Sequence, residues 1–424
     1  MASVQTVEAN TPRDTRQIFL YFSSLTLLVY LVAPDLALLD IPTSYMLKNQ
    51  LHATASQVSA FRLITAIPVY LAFIFGLTRD IWNPFGWRDR GLFAIFVPLT
   101  TGVLLWMAVS RLSFYGLLVG MLLLMLFSRF NLAAFQGLVA LVAQEHLMSG
   151  RLSALWNAFQ YVPWAAAAFG SGVITENLSP KQTFLLAAAL TALMGVYAFW
   201  KPSSVFRHAY DRPEAQAIDL VGDIKRLVQH RPVYPAVLLN LIWYFSPGLN
   251  TPLQFYLTDK LHASDAVYGY YFGIYVASMI PVFFAYGIVC RKLKLDRLLL
   301  WATLIGIPQM MPLAFIRSGS SALALAPVLG VMAALATVSY MDLAMRSCPP
   351  GLQGTLMMLI AGVVVLALRG SDLLGTWIYE SSAAHGFLYC ALACTGVYLL
   401  LLPVLLLIPK QLVSTVDGEE NPAF

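Results

Sequence analysis

Apolar positions along this chain neither alternate like those of a strand nor keep to one side of a helix. They run on. Uncharged stretches cover 91–110, 112–128, 152–175, 182–200, 232–258, 266–290, 298–316, 318–341, 347–368 and 386–409, and shorter ones, 17–34 and 63–78, extend into charged residues. A helix needs roughly 20 mostly apolar residues to cross a hydrocarbon layer about 30 Å thick. The pattern predicts an all-α polytopic membrane protein with twelve transmembrane helices. Their spans are about 17–48, 57–78, 91–110, 113–145, 152–176, 182–200, 232–259, 266–290, 298–316, 320–346, 352–380 and 386–408. Spanning segments must satisfy their own backbone hydrogen bonds, and nothing here alternates like a barrel strand.

Composition agrees. Of 424 residues, 59% are hydrophobic and 11% charged; a soluble domain carries about 25% charged residues because its surface meets water. That excludes a cytosolic enzyme, a nucleic-acid binder and a disordered scaffold. The polar stretch up to Gln17 lacks the short apolar core of a removable signal peptide. Lys and Arg fix the orientation, because they concentrate in cytoplasmic loops. With the N-terminus inside, eighteen of the 26 fall on the inner face, five on the outer and three within spans. Both termini are therefore expected in the cytoplasm, with the protein in the cell (inner or plasma) membrane and its helices even in number. The expected organisation is a tail over 1–16, a six-helix bundle over 17–200, a linker over 201–231, a second bundle over 232–408 and a tail over 409–424.

The two halves repeat. Pro42-Thr-Ser-Tyr45-Met-Leu47-Lys-Asn-Gln-Leu51-His52-Ala53-Thr54 is answered by Pro252-Leu-Gln-Phe255-Tyr-Leu257-Thr-Asp-Lys-Leu261-His262-Ala263-Ser264, at a constant offset of 210. Gly76-Leu-Thr-Arg-Asp80, closing helix two, matches Gly287-Ile-Val-Cys-Arg291, closing helix eight, at an offset of 211. Weaker matching reaches Ser149-Gly150 and Pro350-Gly351. A repeat of half the chain, in parallel orientation, is the mark of transporters that rock two halves about a central site.

Gly76-x-x-x-Asp80, with Gly86, Arg88 and Arg90 after it in the loop between helices two and three, resembles the major facilitator superfamily. In that family this loop latches the halves on the cytoplasmic side. The resemblance implies a cytoplasmic gate built from Gly76, Asp80, Arg88, Arg90, Glu145, Asp342 and Arg346. It also implies that helices one, four, seven and ten line a central cavity. Within the superfamily, three patches are similar to the folate–biopterin transporter branch. They are Tyr45-x-Leu-Lys48-x-x-Leu51 with Pro68 and Gly76-x-x-x-Asp80; Ser246-Pro247-Gly248 through Phe255-Tyr-Leu-Thr258-x-x-Leu261 to Gly269; and Cys348-Pro-Pro-Gly-Leu-Gln-Gly-Thr355-Leu356. The branch resemblance implies a folate- or pteridine-like solute.

Charges inside the spans carry the chemistry. An ionised side chain among lipid tails costs several kcal/mol, so it turns inward and marks function by default. Helix one holds Asp35 and Asp40 beside Pro34 and Pro42, and helix four holds Arg129. Asp35 and Arg129 both fall near mid-depth. One reading gives the arginine a substrate carboxylate and the aspartate a transported proton, its proton affinity raised by a dry cavity. The other is an ion pair that pins two helices. Asp40 is an alternative proton carrier or a residue of the outer mouth. Arg369 and Asp372, three apart on helix eleven, are placed to pair locally, and Asp342 and Arg346 stand four apart at the inner end of helix ten. Asn157, Gln160, Tyr161, Asn240, Tyr244 and Asn250 offer hydrogen bonds to a polar ring, and Tyr270, Tyr271 and Tyr275 offer a stacking face. Each also reads as ordinary helix–helix packing. Ser246-Pro247-Gly248 is expected to break helix seven.

No Gly-x-x-x-x-Gly-Lys-Ser/Thr stretch is present, so ATP is not the expected energy source. Cys390 and Cys394, at i and i+4 on one apolar helix, read as packing thiols. The expectation is a monomeric secondary transporter, not an enzyme, working by alternating access. It is expected to be coupled to protons, with no metal, cofactor or nucleic-acid partner. A carrier of another organic solute or drug, or a non-transporting receptor, is the alternative.

Overall fold

The computed structural model describes residues 12–35, 37–206, 220–382 and 384–419, and every regular element among them is helical. Nine helices among the described residues are long and apolar enough to cross a membrane: Ser56–Ile81, Asp89–Val109, Phe114–Glu145, Pro180–Phe199, Ala266–Val289, Leu295–Phe315, Gly319–Arg346, Gln353–Glu380 and Gly386–Leu405. They correspond to helices two, three, four, six and eight to twelve of the expected order. Helix five is Ser149–Asn177. Helices one and seven are interrupted: Pro12–Leu31 resumes as Ala37–Tyr45, and Val233–Tyr244 resumes as Thr251–Phe255.

The break in helix seven falls at the expected Ser246-Pro247-Gly248, whereas helix one was expected as one span over 17–48 and is corrected. Proline removes an amide hydrogen and its ring clashes with the carbonyl one turn earlier. Pro34 stands in the first gap and Pro247 in the second, beside Gly248 at φ 108°. Beyond their gaps the two helices end alike. Each passes into a π-turn, Met46–Gln50 and Tyr256–Lys260. Each then stops on a left-handed histidine, His52 (φ 48°) and His262 (φ 52°). Ala53 N–H donates to Leu47 O, and Ala263 N–H to Leu257 O, both at 2.9 Å. This six-residue closure is a helix stop normally made by glycine. The repeat in sequence is thus a repeat in backbone conformation, and the two histidines have a structural task.

Two cores meet across the middle. The first gathers Tyr21, Phe93, Phe135 and Trp156 of the first half but also takes in Met345, Cys348 and Met357 of the second. The other gathers Trp243, Phe283, Tyr340 and Tyr398 yet includes Ala154 and Ala158 of helix five. Large apolar side chains left outside, such as Phe199 (74% exposed), Leu373 (76%) and Leu406 (86%), suit a lipid surround rather than water.

The first and last described residues lie on one face, the terminal face. Gln17 accepts a hydrogen bond from Ser204, just past helix six, and the segment after helix twelve packs against the start of helix five. The expected linker over 201–231 contains helices Ser203–Phe206 and Leu220–Gln229; its residues 207–219 lie outside the described residues, as do 1–11 and 420–424 of the tails. The expected tail over 409–424 is not all loose chain. Lys410–Val413 is a helical turn with Leu412 and Val413 buried.

Candidate functional site

Two constellations emerge, a cavity within the first half and a seal at the terminal face. Helix one breaks beside the cavity. Pro34 interrupts the backbone there and leaves Asp35 in the gap, opposite Arg129 on the unbroken helix four. The pair forms at 3.6 Å, with the arginine side chain 8% exposed and the aspartate 47%. The expected dry Asp35 is therefore corrected: the break turns it toward open space while Arg129 stays enclosed. The surrounding pocket is lined by Tyr30, Asp35, Thr100, Ser128, Arg129, Asn131, Trp164 and Thr191. Arg129 Nε, Asn131 Oδ1 and Thr191 Oγ1 are buried without hydrogen-bond partners. Buried polar atoms are normally paired, so this wall has donors and acceptors to offer a polar guest.

The other predicted cavity residues separate. On helix five, Trp156 Nε1 donates to Tyr30 Oη (3.1 Å) and Gln160 Oε1 (2.8 Å), and Asn157 Nδ2 donates to the Ser153 carbonyl (2.8 Å). This network joins helices one and five and holds Gln160 beside Asn157. Tyr161 packs edge-on against Phe283 of helix eight. Tyr271 and Tyr275 are parallel with centroids 6.2 Å apart, and the buried Tyr271 hydroxyl lacks a partner. Tyr270 is 53% exposed, so it leaves that stack. Asn240 is spent locally on the Ala236 carbonyl at 2.9 Å. Tyr244 and Asn250 flank the break in helix seven. Asp40 reaches Arg62 only at 4.0 Å, with both side chains more than half exposed, which suits a mouth residue.

Arg369 and Asp372 do not pair as expected. Asp372 instead accepts from the Thr251 amide (3.0 Å) and hydroxyl (2.9 Å), so it holds the N-terminus of the resumed helix seven. A carboxylate suits that place because the first amides of a helix have no partners of their own. Asp372→Ala should destabilise the protein by about 1–2 kcal/mol, read as a lower thermal midpoint in detergent. An unchanged midpoint would refute the anchoring role.

The terminal face is sealed by buried charge. Asp80, at the end of helix two, accepts from Gly354 N (3.1 Å), Thr355 N (2.7 Å) and Thr355 Oγ1 (2.7 Å) at the start of helix eleven. Arg79 donates to Asp80 (2.8 Å) and holds Asp89 through two nitrogens at 2.5 and 2.7 Å. Helices two and eleven approach so closely that a β-carbon on Gly76 would overlap the Gly354 carbonyl. Gln144 Nε2 donates to the carbonyls of Met345 (3.0 Å) and Cys348 (2.8 Å), and Gln353 returns a bond to Gln144 (2.9 Å). Across the face, Arg346 Nε donates to Asp342 Oδ1 (2.9 Å) and the Tyr286 hydroxyl to Asp342 Oδ2 (2.9 Å).

Of the expected gate, Gly76, Asp80, Asp342 and Arg346 are in this seal. Glu145 closes helix four at the same level, half-buried. Arg88 and Arg90 are elsewhere. Arg88 is anchored through its amide to Asn83, and Arg90 donates to the Ala198 carbonyl and lies over Trp87, within its own half. Sequence reading missed Arg79, Asp89, Gln144, Gln353 and Thr355. Arg79 and Asp89 stand one residue from Asp80 and Arg90, so the motif pointed to the right loop and the wrong neighbours.

Comparison with known proteins agrees with this architecture. The family model described as Major Facilitator Superfamily matches residues 18–369. A folate-biopterin transporter from Synechocystis sp. is 24% identical over 423 aligned positions, covering 93% of this chain and 83% of that protein. The crystal structure of the human organic anion transporter MFSD10 aligns with a TM-score of 0.63 at 16% identity, covering 93% of this chain and all of the other. At that identity the likeness is one of fold alone.

Proposed function

The chain belongs to the major facilitator superfamily, as a multi-pass membrane protein that transports a small organic solute rather than an enzyme, and from that premise we propose that it carries a folate- or pteridine-like anion by proton-coupled alternating access. The observation that carries this reading is the Asp35–Arg129 pair in a partly polar cavity. An enclosed guanidinium presents a planar fork to a carboxylate. Its half-exposed aspartate is close enough to answer when that charge is engaged. Folates carry carboxylates, and both folates and pterins carry a flat ring rich in hydrogen-bonding atoms. The 24% identical relative supports the substrate class.

In this reading the terminal face is cytoplasmic, in keeping with its excess of Lys and Arg, and the structure is the state closed to the cytoplasm. The seal is made of discrete hydrogen bonds between the two halves, so it has two arrangements, made or broken. Vesicles containing the purified protein should accumulate labelled folate or a pterin when a pH gradient is imposed. Transport of neither would overturn the substrate class, and flux indifferent to the gradient would overturn proton coupling.

A further inference from the structure

The seal has two arms, and they are not built from equivalent residues. In the first, helix two ends on Asp80, whose carboxylate accepts from the amide of Gly354, the second residue of helix eleven. The repeat places Arg291 of helix eight at the position of Asp80, and Cys290 at that of Arg79. Helix eight therefore brings no carboxylate to the amide of Gly150, which is the second residue of helix five as Gly354 is of helix eleven.

That amide is nevertheless capped by an aspartate. Gly150 N–H donates to Asp417 Oδ1 at 2.8 Å, and Arg151 Nε donates to Asp417 Oδ2 at 2.5 Å. Asp417 belongs to the segment after helix twelve, and its side chain is fully buried. Its own amide donates to the Cys290 carbonyl at 3.0 Å, so it sits at the end of helix eight, as Asp80 sits at the end of helix two. Two residues earlier, the Thr415 carbonyl and hydroxyl accept from Arg346 Nη1 at 3.3 and 3.2 Å. Arg346 thereby ties the tail to the Asp342–Tyr286 cluster. Leu412 and Val413 anchor the strap in the second core.

We propose that Asp417 is a gate residue of the transport cycle: the tail supplies in the second half the carboxylate that Asp80 supplies in the first, and it must leave Gly150 and Arg151 for the terminal face to open. This rests on the alternating-access reading above. It extends that reading by making the tail a moving part of the gate. A buried carboxylate held by a main-chain amide and a guanidinium is a strong tie while made, and its loss leaves Arg151 without that partner.

Native cysteines report the outcome. Cys290 lies beneath the tail and Cys348 beneath the other arm, and they are 1% and 0% exposed. A reagent must reach a thiol to alkylate it, so the closed state should label slowly. Single-cysteine versions of the full chain, retaining either Cys290 or Cys348, are treated in detergent with N-ethylmaleimide. In Asp417→Asn, and separately in a chain lacking 417–424, both cysteines should label about tenfold faster or more. Asp417→Glu keeps the charge and should label more slowly than Asp417→Asn; equal rates would overturn the role assigned to the carboxylate. Faster labelling of Cys290 with Cys348 still protected would mean that the tail merely covers helix eight, and would overturn the proposal. So would unchanged rates at both. Labelling needs neither substrate nor gradient, so a wrong substrate assignment leaves this test untouched.

Discussion

A Gly76→Val protein is expected to lose uptake by about tenfold or more, because forcing extra methyls into a packed interface costs about 1–3 kcal/mol and each 1.4 kcal/mol is a factor of ten. At Gly76 the obstacle is not a side chain that can swing aside. It is the Gly354 carbonyl, with Met358 Cβ 2.9 Å from the position a β-carbon would take. Helices two and eleven must separate, which pulls Asp80 from the Gly354 and Thr355 amides. Arg79 lies against Gly137 on one side and Gly354 on the other, so it cannot follow the gap. Alkylation of Cys348 in the same variant should accelerate, since that thiol is buried beside this arm. Wild-type uptake together with a protected Cys348 would show that the two helices do not need this contact. Gly102, whose added β-carbon would meet nothing, is the matched control.

How far the sequence alone reaches is clear from particular residues. The spans were legible because the hydrocarbon thickness sets their length, and Phe114–Glu145 or Gly319–Arg346 differ from expectation by one residue at most. The breaks in helices one and seven were half legible. Pro247-Gly248 announced one, whereas Pro34 was noticed and its segment still drawn as continuous. The pairing of Asp35 with Arg129 followed from equal depth on two helices. Partners that depend on rotation about a helix axis did not follow. Asp372 turns to Thr251 rather than Arg369, because a spacing of three or four residues allows a local pair without requiring it, and Arg90 turns to the Ala198 carbonyl of helix six rather than the seal. Asp417 was beyond reach altogether. Nothing in a short polar tail after a last apolar span distinguishes a solvated end from one folded back under the bundle.

Arg129→Ala should reduce uptake by about tenfold or more, because a hydrogen bond to a charged group contributes about 1.5–3 kcal/mol and each 1.4 kcal/mol is a factor of ten. Asp35→Asn should abolish accumulation against a gradient yet spare exchange of labelled for unlabelled solute, if the carboxylate carries the proton. The exposure of the two groups separates them. Arg129 is enclosed and has an unpartnered Nε, so it has capacity to receive a ligand. Asp35 is half open, the accessibility that loading or removing a proton requires. The competing reading, a pair that only pins helix one to helix four, predicts something different. Exchanging the charges, Asp35→Arg with Arg129→Asp, would restore a pin and with it both folding and uptake. A site that reads an anion at one fixed place loses its guanidinium there and stays inactive although folded. Recovery of uptake in the exchanged protein, or undiminished accumulation by Asp35→Asn, would therefore remove the pair from the transport mechanism and leave it a structural tie.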